Sequence, residues 1–120
     1  MGDLILLLGV EAPLDQDLKE LILTEDREVR ASPLLSPAEN RALISRLRPG
    51  LVFLGGDWRR QRELLNTRVP PIVVVSRSAE VSDWLDAIEA GARDYCAPPF
   101  ERAHVRWILE SALRGRAAAA

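Results

Sequence analysis

The sequence is short of the residues from which most catalytic and metal centres are built. Its 120 residues contain one cysteine, Cys96, and one histidine, His104. A single cysteine excludes an internal disulfide and a cysteine-built metal site. A Ser-His-Asp triad or a multi-histidine metal centre would have to be assembled around one imidazole. Lysine is equally scarce: Lys19 stands alone beside fifteen arginines, in a polar helical stretch. There is no G-x-G-x-x-G and no P-loop lysine. The longest apolar run, Leu4–Leu8, is far too short to span a bilayer. No basic segment precedes it, so no signal peptide is expected, and the expected location is cytoplasmic. The net charge of −2 exerts no general pull on nucleic acid. No metal, cofactor or enzymatic activity is expected.

What is present is the material of one folded domain. Hydrophobic content of 48% with 28% charged residues suits a core of ordinary size, and 120 residues fit one domain. It is expected to occupy 1–115, with 116–120 as a tail or linker. Short unbroken apolar runs predict buried strands over Asp3–Leu8, Leu51–Leu54 and Ile72–Ser76, as in parallel sheets covered on both faces. Weaker strands are predicted over Glu28–Ala31 and Arg93–Ala97. Helices are predicted over Pro13–Thr24, Trp58–Asn66, Ala79–Ala90 and Glu101–Leu113, and from Ser36, where Ser36, Pro37 and Glu39 form a capping box. Val81, Trp84, Leu85 and Ile88 follow helical spacing and read as a core stripe, and Val105, Ile108, Leu109 and Ala112 as another. Gly91 is placed to stop the first of these helices.

Strand and helix thus alternate five times. That order predicts a flavodoxin-like (βα)5 fold: a doubly wound, five-stranded parallel sheet in a three-layer sandwich. Sites in such sheets form at the C-terminal ends of the strands, near the topological switch.

The second half then becomes specific. An apolar strand ending in Ser76 is followed by Ala87-Ile88-Glu89-Ala90-Gly91-Ala92 and by Asp94-Tyr95-Cys96-Ala97-Pro98-Pro99-Phe100. This order and spacing resembles a bacterial response-regulator receiver domain of the CheY-like type. The first half matches more loosely, through its apolar first strand and "RPGLVFLGG". The resemblance covers about residues 3–114.

In that family a histidine kinase passes a phosphoryl group to an aspartate at the end of the third strand. An acidic pair after the first strand helps hold Mg²⁺. A lysine after the fifth strand and a Ser/Thr after the fourth contact the phosphorylated group. Carried over, the acceptor position falls on Gly55, the acidic pair on Gly9 and Val10 with Glu11 beside them, and the lysine on Pro98. Ser76 and the switch aromatic Tyr95 keep the family's residue types. Phosphoryl transfer rests on positioning and charge neutralisation, and Mg²⁺ needs oxygen ligands; glycine, valine and proline side chains offer neither. The resemblance also implies a cis peptide at Pro98-Pro99.

The expected function is therefore that of a pseudo-receiver: a phosphorylation-independent signalling and protein-interaction module of a bacterial two-component regulator, with a protein partner or a fused output domain. One alternative is a small anionic ligand bound by Gly9, Gly55, Gly56, Ser76 and Arg77. The other is an active receiver phosphorylated at a displaced aspartate, Asp57. Asp57 lies two residues past Gly55, roughly 6.5 Å along an extended chain, and reads as the N-cap of the next helix. Arg59, Arg60 and Arg62 beside Trp58 read as a solvated helix face rather than a nucleic-acid contact. In the family, the face made by the fourth helix, fifth strand and fifth helix makes dimers or docks output domains. Trp84, Trp107 and Arg106 are the expected interface residues there. Arg77, Arg93, Arg102 and Arg106 against Asp83, Asp86 and Glu110 would salt-bridge a symmetric homodimer. Cys96 reads as a small core residue and His104 as a surface one.

Overall fold

Three four-residue runs of aliphatic and aromatic side chains form the centre of the sheet: β1 (Ile5–Leu8), β3 (Leu51–Leu54) and β4 (Ile72–Val75). Every residue in them is buried, which only strands covered on both faces achieve. In this computed structural model residues 4–119 are described, with side chains through Leu113. β2 (Val29–Ser32) is a half-exposed edge and β5 (Asp94–Cys96) closes the other side. All pairings are parallel, in the order β2-β1-β3-β4-β5. Chain direction along the sheet therefore reverses between β1 and β3. Asp3, expected in the first strand, lies outside the described residues.

Alternation along the strands divides the core in two. Ile5, Leu7, Phe53, Val73 and Val75 pack against α1 (Leu14–Thr24) and α5 (Arg102–Ala119). Leu6, Leu8, Val52, Leu54 and Val74 pack against α2 (Pro37–Leu47), α3 (Arg62–Thr67) and α4 (Val81–Ala90). Each such aliphatic side chain contributes roughly 1.5–3 kcal/mol of burial. In α5, Val105, Ile108, Leu109 and Ala112 all face inward as predicted. The helix continues to Ala119, through most of the expected 116–120 tail, and Ala120 lies outside the described residues.

Local signals for helix ends hold at two places. The Ser36 hydroxyl accepts the Glu39 amide at 3.2 Å and donates to the Glu39 carboxylate at 2.9 Å. Gly91 ends α4 with a left-handed φ of +118°, and a Cβ there would lie 2.5 Å from the Leu65 carbonyl oxygen. Both the backbone and the close approach of α3 require glycine.

Two predicted helices differ. The 58–66 helix is split into a 3-10 turn at Trp58–Arg60 and α3. Gln61, at the break, is buried and accepts a hydrogen bond from the Asn40 amide at 3.2 Å. In α4 only Ala87 is buried; the stripe Val81, Trp84, Leu85 and Ile88 faces solvent. The expected core stripe is an exposed face. Ala87 and the half-buried Ala90 are small, so the helix lies on the sheet through them.

Candidate functional site

The C-terminal ends of β1, β3 and β4 meet where the sheet order reverses, and backbone fills the space between them. The Gly55 amide donates to Leu8 O at 2.9 Å, and the Gly9 amide to Ser32 O at 2.9 Å. Gly55 is buried. A Cβ added to it would lie 2.8 Å from the Gly9 carbonyl oxygen and 2.8 Å from Val10 Cα. Both neighbours are main chain, so neither can swing aside as a side-chain tip does. Gly9 is itself held with φ +71°, its Cβ direction blocked by Leu34 at 2.9 Å, and Gly56 has φ +60°. The Gly-Gly pair is a closure between two loops, not an open cradle.

Two crevices remain beside this closure. A small one of about 230 Å³ touches Val10, Glu11, Gly55, Ser76 and Arg77. The Ser76 hydroxyl is occupied, accepting the Ser78 amide at 3.1 Å, and Arg77 reaches across to donate to the Ala12 carbonyl at 2.9 Å. A larger cleft of about 500 Å³ lies towards β2 and carries three carboxylates, Glu11, Asp15 and Asp57. Asp57 does not cap the following turn; its carboxylate pairs with Arg60 at 3.0 Å and is exposed. Among the described residues no group of three or more His, Cys, Asp or Glu could hold a metal ion. Pro98 follows β5, lines neither crevice, and forms a cis peptide with Pro99, as do Ala12-Pro13 and Val69-Pro70.

No family model matches the sequence, and no curated protein matches it significantly. Solved structures do. NtrX from Brucella abortus, in complex with ADP, is 25% identical with a TM-score of 0.74, over 96% of this chain and 27% of NtrX. The BeF3-activated N-terminal receiver domain of RstA from Klebsiella pneumoniae is 21% identical with a TM-score of 0.76, over 92% of this chain and 98% of that domain. The fold is that of a response-regulator receiver domain. A third receiver-fold neighbour, an atypical orphan response regulator, is 17% identical with a TM-score of 0.73, over 92% of this chain and 95% of its own. That protein is described as having a phosphorylation-independent regulatory mechanism. The chain spans about 27% of the length of NtrX.

In this receiver fold the expected site residues divide. Gly9, Val10, Glu11, Gly55 and Ser76 come together around the closed loops, and Pro98 lies two residues past Cys96, whose carbonyl accepts the Ser76 amide at 3.0 Å. Tyr95, the expected switch aromatic, is buried, and its hydroxyl donates to the Ser78 carbonyl at 2.6 Å. Ser78 in turn hydrogen-bonds the Asp83 carboxylate at 2.5 Å. Arg59 then takes Asp83 at 2.6 Å and Asp86 at 3.0 Å, and its guanidinium lies 4.5 Å from the Trp58 ring centroid. The hydrogen bond that Arg59 donates to Asp86 and the two aspartate charges hold the Arg59 pKa above its ordinary value. This chain from β5 to the turn after β3 was not legible in the sequence, because Arg59 read as one of three solvated arginines.

The expected salt-bridged interface is also rearranged. Asp83 and Asp86 are consumed by Arg59, and Arg106 binds Glu25 of α1 at 3.1 Å. The Glu25 hydrogen bond raises the Arg106 pKa. His104 is a surface residue, as expected, and meets Asp94 at 3.1 Å. Cys96 is a core residue: burial, with Asp94 nearby, pushes its thiol up to about 12. Trp107 is 58% exposed and Trp84 41%; they lie on the two helices beside β5.

Proposed function

We propose that this receiver fold is a pseudo-receiver, a non-enzymatic module that signals by protein contact without being phosphorylated. The observation carrying this reading is the contact of Gly9 and Val10 with the space beyond Gly55. An acceptor side chain at that position has no room, and neither Gly9, Val10 nor Pro98 brings a carboxylate or an ammonium. Transfer of a phosphoryl group depends on placing charge around it, and the crevice at Gly55 keeps one carboxylate, Glu11, while its one cation, Arg77, is held by the Ala12 carbonyl. The atypical neighbour with a phosphorylation-independent mechanism supports the reading by likeness of fold. The working surface is the α4-β5-α5 face, offered to a separate protein, a second copy or an output domain fused beyond α5. Among the described residues no helix is long and apolar enough to cross a membrane, and cytoplasmic signalling fits a partner of two-component type.

Incubation with Mg²⁺ and a small-molecule phosphodonor, followed by intact-mass measurement, tests this directly. The mass stays unchanged on this reading. A phosphoryl-sized increase that disappears in Asp57→Asn would establish the displaced aspartate as an acceptor instead. The anionic-ligand alternative is disfavoured by charge: the larger cleft presents Glu11, Asp15 and Asp57, and the one arginine at the smaller crevice is tied to the Ala12 carbonyl.

A further inference from the structure

At the N-terminal ends of β3 and β4, opposite the glycine closure, α2 and α3 part over an apolar recess of about 460 Å³. That volume is in the usual range for small-molecule sites. Ile44, Pro49, Leu64, Val69 and Pro70 line it. Ile44, Pro49 and Leu64 are buried. Val69, on the loop between α3 and β4, is 72% exposed, the most of any large apolar side chain among the described residues. The recess is pre-formed. The Gly50 amide donates to the Leu4 carbonyl at 2.9 Å and the Val52 amide to the Pro71 carbonyl at 3.0 Å, which fastens both loops beneath it. The Arg41–Glu63 ion pair, at 3.0 Å, bridges α2 to α3.

The polar lining comes mostly from α2. Arg41, Ser45 and Arg48 all touch the recess; they stand at i, i+4 and i+7 and share one helix face. Arg41 is taken by Glu63. Ser45 and Arg48 are exposed, and neither side chain has a hydrogen bond or ion pair among the described residues. Arg48 also ends α2 in the left-handed conformation, with φ +50°, where glycine is the ordinary choice. An arginine at a helix C-terminus complements the helix dipole, so its charge alone decides nothing. What decides is its place, an unpaired guanidinium beside an apolar floor. The surroundings have the same sign. α2, α3 and their capping residues carry five arginines against two glutamates, in a protein of net charge −2. The two helix C-termini together offset roughly one of those positive charges, and the face remains basic.

We infer that this recess binds a small organic acid, a single carboxylate on an aliphatic or aromatic body. The body covers Ile44, Leu64 and Val69, and the carboxylate meets the Arg48 guanidinium and the Ser45 hydroxyl. Arginine holds a carboxylate through two parallel N–H donors, a stronger contact than a neutral hydrogen bond. One free cation matches one negative charge. The inference goes beyond the reading above and does not depend on it. The site is made by α2, α3 and the loops before β3 and β4, at the far end of the strands from Gly55, and it is the same whether or not the domain is phosphorylated.

The test uses the whole 120-residue protein and three probes. 4-Phenylbutyrate has both features, 4-phenylbutanol has the body without the charge, and propionate has the charge without the body. Each is titrated at low salt and followed by backbone amide chemical shifts. Phenylbutyrate binds with a dissociation constant below roughly 1 mM, and the shifts concentrate in 44–50 and 64–70. Phenylbutanol and propionate bind at least about fivefold more weakly. Arg48→Gln brings phenylbutyrate down to the affinity of phenylbutanol. Arg48→Gly does the same without lowering the urea midpoint, because glycine accepts the left-handed backbone; a purely helix-capping role for Arg48 would leave the preference for the acid intact. Val69→Ser weakens phenylbutyrate and phenylbutanol alike, by roughly threefold. Arg30→Ser, on the edge strand β2, changes neither. The proposal is overturned by equal binding of the acid and the alcohol, by an acid preference that survives both Arg48 variants, by shifts that map to another face, or by no binding of phenylbutyrate at millimolar concentration. The phosphodonor experiment is read by mass, so the pseudo-receiver reading stands or falls separately.

Discussion

The guanidinium of Arg59 lies 2.6 Å from the carboxylate of Asp83, joining the turn after β3 to the first turn of α4. Through Ser78 the same aspartate is linked to Tyr95 of β5. α4 meets the core through little more than Ala87, so polar contacts have an unusually large share in fixing it. In Arg59→Gln, amide exchange across 78–90 accelerates while that of β1, β3 and β4 is unchanged. Asp83→Asn gives the same pattern, and the double variant loses less than the sum of the two, as expected for residues that share one interaction while each keeps a second partner, Asp86 for Arg59 and Ser78 for Asp83. Added salt moves the wild type part of the way, since exposed charges are screened.

The closure at the sheet switch predicts intolerance to any side chain at position 55. Gly55→Ala places a methyl group against two backbone atoms at 2.8 Å and costs roughly 1–3 kcal/mol, the usual range for overpacking. Gly55→Asp costs at least as much and does not gain phosphorylation. Gly56→Ala has more room, its nearest neighbour being 3.3 Å away, and loses about 1–2 kcal/mol through its left-handed backbone. Urea unfolding of the three variants checks the order.

Cys96 contributes a pH dependence of defined sign. The fold keeps its thiol protonated up to about 12, against an ordinary value of 9.0. Between those values the unfolded chain has released a proton that the folded one retains, so unfolding gains on folding as pH rises. The contribution is complete below pH 9.0 and is lost progressively toward about 12. Cys96→Ala removes this part of the slope, measured as the difference between the two proteins' denaturation midpoints from pH 8 to 11. At pH 8 a thiol reagent modifies the native wild type far more slowly than the urea-unfolded chain.

The three tryptophans separate core from surface. Trp58 is 7% exposed and packs into the cluster beneath α2 and α3, so Trp58→Ala costs about 3–5 kcal/mol. Trp107→Ala changes stability by no more than about 0.5 kcal/mol. It also shifts the fluorescence maximum to shorter wavelength, because one of the more exposed emitters is removed. A large stability loss in Trp107→Ala would show that its ring is buried in solution.

Most of the fold was legible in the sequence because the strands announce themselves by both-face burial. Runs such as Leu51–Leu54 and Ile72–Val75 have no polar side to expose, and the alternation with helices leaves few topologies. Ser36 and Gly91 marked helix ends because each meets a specific backbone requirement. The misreadings have a common cause. Val81, Trp84, Leu85 and Ile88 have the same periodicity whether the stripe faces a sheet or solvent, and periodicity carries no direction. Small Ala87 and Ala90, which seat the helix, give almost no signal. Asp57 read as a cap because the residue type favours it, yet Arg60 is close enough to take the carboxylate. Nothing in the sequence pattern marks the polar Asn40 and Gln61 as buried, because it is their mutual hydrogen bond in the folded chain that lets both be so. At the site, Gly9 and Gly55 could be named individually, but their contact with each other belongs to the folded chain.

Any glycine codon becomes one for aspartate or glutamate by a single nucleotide change, so a mutation that puts a carboxylate at position 55 is always close at hand. In this molecule that step leads into the Gly9 carbonyl. Gly9 cannot yield alone, since its amide is bound to the Ser32 carbonyl of β2. The accessible route runs through the loop after β1 first and the carboxylate second. A change that is trivial to the genome is thus two ordered changes to the protein, and the intermediate has nothing to recommend it.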